Sequence, residues 1–182
     1  MKFRGSTLAV LLSVAIVPMS LPAQMTHGHN GKPLLSPPAT AMVELNGKQV
    51  GIHYNSPRMR GRKIFGGLVP YGKVWRTGAN PATTLKTDTN LMIGGANVPA
   101  GTYTLYTLPS EGTWKLIINK QTGQWGTVYH EDQDLARVDM KKKMLPSTQE
   151  DMSISFEDTH GSRTQLHVRW DKTDVWVPVV AQ

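Results

Sequence analysis

Short runs of strand-forming residues, each cut off by turn residues, follow one another so closely between Ala41 and Val180 that long helices have no room. The clearest unit is at its start. Asn46-Gly47, the dipeptide best suited to a type I′ turn, joins residues 41–45 to residues 48–54, where Val50, Ile52 and Tyr54 alternate as a half-buried strand requires. Residues 83–87 and 90–93 are short runs around Asp88 and Thr89, and residues 101–108 stop at Pro109 before residues 114–119 resume, a further hairpin. Met152, Ile154 and Phe156 alternate, as do Leu166, Val168 and Trp170, and residues 175–180 read as a last strand. The one stretch of helical length, residues 131–145, places Ala136, Val138 and Met140 opposite Arg137, Asp139 and Lys141, so a strand is expected over residues 135–142. The expected fold is all-β, an antiparallel β-sandwich of jelly-roll-like type. The echo between residues 78–82 and 95–100 reads as similar turns at two strand ends, since an isolated pair makes no repeat architecture.

The N-terminus is built differently. Lys2 and Arg4 precede the apolar run Leu8 to Val17, Pro18 breaks it, and Leu21-Pro22-Ala23 offers a small residue before a cut. That run falls short of the roughly 20 residues that span a bilayer as a permanent helix. The organisation expected is therefore a helical signal peptide over residues 1–23, a flexible Gly- and Pro-containing leader over 24–40, and one sandwich domain over 41–182. Export to the periplasm or the extracellular space follows, with no stable membrane span after cleavage. The chain contains no cysteine, so disulfides and thiol nucleophiles are excluded, and a mature chain of this size can bury a core without them.

The formal charge of +7 is spread along the chain and suits anionic partners better than nucleic acid, which calls for a concentrated basic face. The densest cluster, Arg58, Arg60 and Arg62 with Lys63, is a candidate anion site; a solvated loop is the plainer role, and the absence of interleaved aromatics argues against single-stranded nucleic acid. His130-Glu131-Asp132-Gln133-Asp134 gathers metal-capable groups but lacks the glycine and terminal glutamate of a calcium loop, so an acidic turn is expected and no metal site. If cleavage followed Gln24, His27 would stand third in the mature chain, a spacing that can bind copper or nickel; cleavage after Ala23 spoils it. Nucleophile-elbow, zinc-protease, phosphate-loop and dinucleotide fingerprints are all missing, and no cofactor is expected.

Trp75, Arg76 and Asn80 bring an indole, a planar cation and a carboxamide within six residues, just before a Gly-Ala-Asn-Pro turn. Such a set can hold a carbohydrate or a carboxylate-bearing ligand. It equally suits a brace, with Trp75 in the core and Arg76 and Asn80 satisfying loop carbonyls. The run from Lys73 to Asn80, with Ser56-Pro57, residues 64–72, residues 99–103 and Trp125-Gly126, resembles the bacterial family catalogued as domain of unknown function 2911, in order and spacing from about Val43 to Val179. The resemblance implies exported proteins with a compact β domain and no established activity. The functional expectation is a non-catalytic binding or structural module of the cell envelope, taking a glycan or a small anionic ligand. The alternative is a hydrolase-type enzyme on a jelly-roll scaffold, with acids or histidines assembled by the fold.

Overall fold

The computed structural model describes residues 35–182; the expected signal peptide, the leader up to residue 34 and His27 lie outside them. Nine antiparallel strands follow in chain order: β1 (Pro38–Leu45), β2 (Lys48–Asn55), β3 (Thr83–Thr87), β4 (Leu91–Ile93), β5 (Ala96–Val98), β6 (Gly101–Leu108), β7 (Trp114–Asn119), β8 (Asp134–His160) and β9 (Arg163–Ala181). Their hydrogen-bonded order is β1-β2-β3-β6-β7-β8-β9-β4-β5, a meander from which the chain crosses over after β3 to form β4 and β5 and crosses back to β6. The all-β antiparallel sandwich expected from the turn spacing is what forms. Among the described residues the only helical element is a 3-10 turn at Glu131–Gln133, and no helix is long and apolar enough to cross a membrane.

The hairpin at Asn46-Gly47 pairs Leu45 with Lys48, and both turn residues take positive φ (49° and 75°), as a type I′ turn demands. Strand β1 begins at Pro38, three positions before the expected start, because Ala39 and Thr40 continue the ladder to Tyr54 and His53. Strands β6 and β7 pair as the expected hairpin, Leu108 opposite Lys115. Residues 83–87 and 90–93 do not pair with each other. Strand β3 lies between β2 and β6, whereas β4 crosses to pair with β5 and β9. The second half of the sequence echo is strand β5 rather than a turn.

Strand β8 makes the sandwich by belonging to both faces. Its residues from Asp134 to Met140 pair with β7, and from Lys141 onward they pair with β9. The β8–β9 hairpin then bends sharply. Between the pairs Met144↔Thr173 and Ser153↔Arg169, β8 advances nine residues while β9 advances four, so β8 takes the longer path round the bend. Asp171, at φ 55°, absorbs the bend in β9 and shifts its phase. Leu166, Val168 and Trp170 face the core before it; Val175, Val177 and Val179 do so after it. These side chains meet Leu45, Val50, Ile52, Leu105, Trp114 and Leu116 in one continuous core.

Candidate functional site

The long connection from β2 to β3, residues 56–82, holds most of the residues singled out above. Connections of this length are usually functional or disordered, and this one is tied down. Isolated bridges join Arg58 to Asp151, Trp75 to Thr107 and Pro81 to Trp125, and Ile64, Phe65, Val69 and Thr77 are buried. Trp75 exchanges both backbone hydrogen bonds with Thr107, at 2.8 and 2.9 Å. Thr77 sits at positive φ (52°), with its hydroxyl donating to Trp75 O and paired with the Thr107 hydroxyl at 3.2 Å, while Thr83 Oγ1 donates to Thr77 O at 2.9 Å. The backbone here is braced by threonines.

Against this frame lies a cleft of about 330 Å³, bordered by Trp75, Arg76 and Asn80 together with Ser36, Arg62 and Leu68, and floored in part by Trp170. Trp75 is half-buried and stacks on Trp170 (ring centroids 5.8 Å apart, planes 19° from parallel), with Phe65 edge-on at 6.1 Å. It thus packs on the core with one side and borders the cleft with another.

Arg76 and Asn80 depart from the bracing role. Among the described residues neither side chain makes a hydrogen bond, and Arg76 Nε is buried with no acceptor. Burial without a counter-charge pushes the Arg76 pKa down from its ordinary value, yet a guanidinium remains charged at any physiological pH. Asn80 owes its identity to the backbone, since it stands at φ 59°, a left-handed conformation that asparagine tolerates. Its carbonyl accepts from Gly126 N at 3.1 Å, and its exposed carboxamide is left for solvent or a ligand.

Gly126 is needed because Arg76 runs across it. A Cβ at this glycine would collide with Arg76 Cδ, and would lie 2.7 Å from Asn80 O and 3.1 Å from Arg76 Cβ. Gly126→Ala is therefore expected to displace both cleft residues and to destabilise the fold by about 1–3 kcal/mol, as overpacking does. Urea unfolding read beside anion titration checks this; an unchanged midpoint and affinity would mean that the loop gives way freely.

The arginine run is split by the fold. Arg58 pairs with Asp151 at 2.7 Å, both half-exposed. Arg60 donates to Leu35 O, and Arg62 donates to Met59 O and Arg58 O while also bordering the cleft. Only Arg62 joins Arg76. The expected acidic turn is partly paired: Arg137 reaches Glu131 at 2.8 Å and Asp134 at 2.7 Å, and Asp134 also accepts from Tyr129 OH and Asn119. Burial and the Asp134 carboxylate push the Tyr129 pKa up to about 12. Among the described residues no three His, Asp or Glu side chains gather as a metal set.

One charged cluster escaped sequence reasoning. In an unbroken strand His167 and Asp174 would stand roughly 23 Å apart, but the bend in β9 brings His167 Nδ1 to 2.8 Å from Asp174 Oδ1. Arg169 Nε donates to the other Asp174 oxygen at 2.9 Å, and its two terminal nitrogens clamp Glu157. None of these groups borders the cleft. The network closes on itself and locks the bend.

A family model described as "Protein of unknown function (DUF2911)" matches residues 36–179. Neither a curated protein nor a solved structure matches the chain.

Proposed function

The chain belongs to the DUF2911 family, and on that premise we propose that it is an exported, non-catalytic binding module of the cell envelope whose cleft beside Trp75 and Arg76 takes a small anionic ligand. The observation that carries this reading is the Arg76 guanidinium, buried at Nε without an acceptor and bordering a concavity that also receives Arg62. A buried donor left unpaired costs about 1–3 kcal/mol. A carboxylate, sulfate or phosphate entering the cleft would meet the terminal nitrogens of Arg76, which make no hydrogen bond among the described residues, through charge-assisted hydrogen bonds. The walls are polar and apolar in nearly equal measure, with Arg62, Arg76 and Asn80 facing the same concavity as Leu68, Val69 and Trp75.

Among the described residues no Asp, Glu or His borders the cleft, so a hydrolase working there would have neither a general base nor a general acid from these walls. Export rests on the sequence of residues 1–23, and N-terminal sequencing of the mature protein tests it: a chain that starts at Met1 would contradict it. The binding reading is tested by calorimetric titration with sulfate, phosphate, benzoate and galacturonate. At least one should bind, and Arg76→Met should weaken that binding by roughly 10- to 100-fold, the worth of a charge-assisted hydrogen bond. Equal affinity in the variant, or no binding by any of the four, would overturn it.

A further inference from the structure

We infer that the ligand is an acidic oligosaccharide, with a carboxylate-bearing sugar in the cleft and the neighbouring ring on Trp125. The inference rests on the anion reading above and adds the class of molecule that carries the anion.

Four of the five tryptophans are used by the fold. Trp114 and Trp170 are buried in the core, Trp75 stacks on Trp170, and Trp176 stacks on His167 with rings 5.4 Å apart and nearly parallel. Trp125 is 56% exposed and has no aromatic partner among the described residues. Its position is held all the same. It bridges to Pro81, the residue after Asn80, and the next residue, Gly126, donates to Asn80 O and lies under the Arg76 side chain. The backbone that carries this exposed indole is thereby fixed next to Asn80 and Arg76, which border the cleft.

The chemistry of the set selects among anions. Inorganic phosphate or sulfate would satisfy Arg76 but would have no use for an indole face. A fatty or aromatic carboxylate would use the apolar walls but not the unbonded Asn80 carboxamide, which both donates and accepts. A pyranose carboxylate uses all three: the carboxylate pairs with the guanidinium, the hydroxyls meet the carboxamide, and a C–H face lies on an aromatic ring. At about 330 Å³ the cleft stands at the small end of ligand sites, and Trp125 lies outside its lining. One sugar fills the cleft, and the indole serves the next one along the chain.

The test titrates the mature protein with galacturonate, digalacturonate, dimannuronate and the neutral disaccharide of galactose, in wild type, Trp125→Ala and Arg76→Met. A carboxylated disaccharide should bind roughly 3- to 10-fold more tightly than galacturonate, the worth of one added aromatic contact. Trp125→Ala should erase that gain and leave galacturonate within about twofold of wild type, whereas Arg76→Met should weaken both and the neutral disaccharide should not bind. If Trp125→Ala binds the disaccharide as wild type does while Arg76→Met loses it, this inference fails and the anion reading stands. The same holds if phosphate or sulfate binds but neither carboxylated disaccharide does up to about 10 mM. If Arg76→Met binds every sugar as wild type does, both fail.

Discussion

Replacing Arg169 with methionine is expected to lower the unfolding free energy by about 3 kcal/mol, at the low end of what breaking a buried ion pair costs. Asp174, with 0% of its side chain exposed, depends on Arg169 Nε at 2.9 Å and His167 Nδ1 at 2.8 Å, with Lys143 farther off at 3.4 Å. Methionine keeps the apolar stem but leaves that carboxylate short of a cation, and it frees Glu157 from its clamp. The same substitution should change the acid limb of stability. The Arg169 hydrogen bonds, with a smaller contribution from Ser155, hold the Glu157 pKa down from its ordinary 4.5 to about 2. A depressed carboxylate stabilises the fold above its unfolded pKa and loses that contribution as pH falls through its folded one. Wild type should therefore weaken progressively from about pH 4.5 to about pH 2, and the variant should show a shallower slope there. Urea unfolding at neutral pH and along this acid limb checks both effects. A cost under about 1 kcal/mol, the range of an exposed ion pair, would mean that the network does not hold the bend.

Trp170→Ala is expected to cost about 3–5 kcal/mol, as truncation of a fully buried aromatic does. Trp170 is buried between the sheets, stacks on Trp75, lies edge-on to Phe65 at 6.3 Å, and donates from its indole to Glu150 O at 3.1 Å. Its loss opens a cavity and removes the surface against which Trp75 is held, so anion affinity should fall as well. Trp125→Ala removes an equally large ring from an exposed position and should change stability by no more than about 0.5 kcal/mol. Urea midpoints of the two variants, measured together, separate the indole that builds the fold from the one that does not. Similar midpoints would contradict the division.

Where structure follows from local chemistry, it was legible in the sequence. Asn46-Gly47 and the Pro109 stop each mark an element that forms with nearly the expected bounds, and the alternation of Ala136, Val138 and Met140 marks the start of β8, which runs on past the expected end near residue 142 to His160. What escaped depends on contacts between distant residues. The two apolar phases of β9 look like separate strands until the left-handed Asp171 joins them through a bend. Residues 56–82 show no periodicity because their order comes from bridges to Thr107, Trp125 and Asp151. Trp75, Arg76 and Asn80 stood out by residue type, and they do border one cleft. That Arg76 lacks an acceptor, that Arg62 joins it while Arg58 does not, and that Gly126 makes room for its stem are tertiary facts. The Trp125-Gly126 pair within the family pattern was the only sequence sign of the last.

The most direct measurement is the urea midpoint of Arg76→Met against wild type, each with and without saturating galacturonate. A receptor carries its unpaired guanidinium at a cost to stability, and a bound ligand raises the stability of the folded state alone. Without sugar the variant should be as stable as wild type or more so, by up to about 2 kcal/mol. Galacturonate should then raise the wild-type midpoint and leave the variant's unmoved. A variant that unfolds well below wild type, with galacturonate shifting both midpoints equally, would make Arg76 a structural brace and remove it from the anion site.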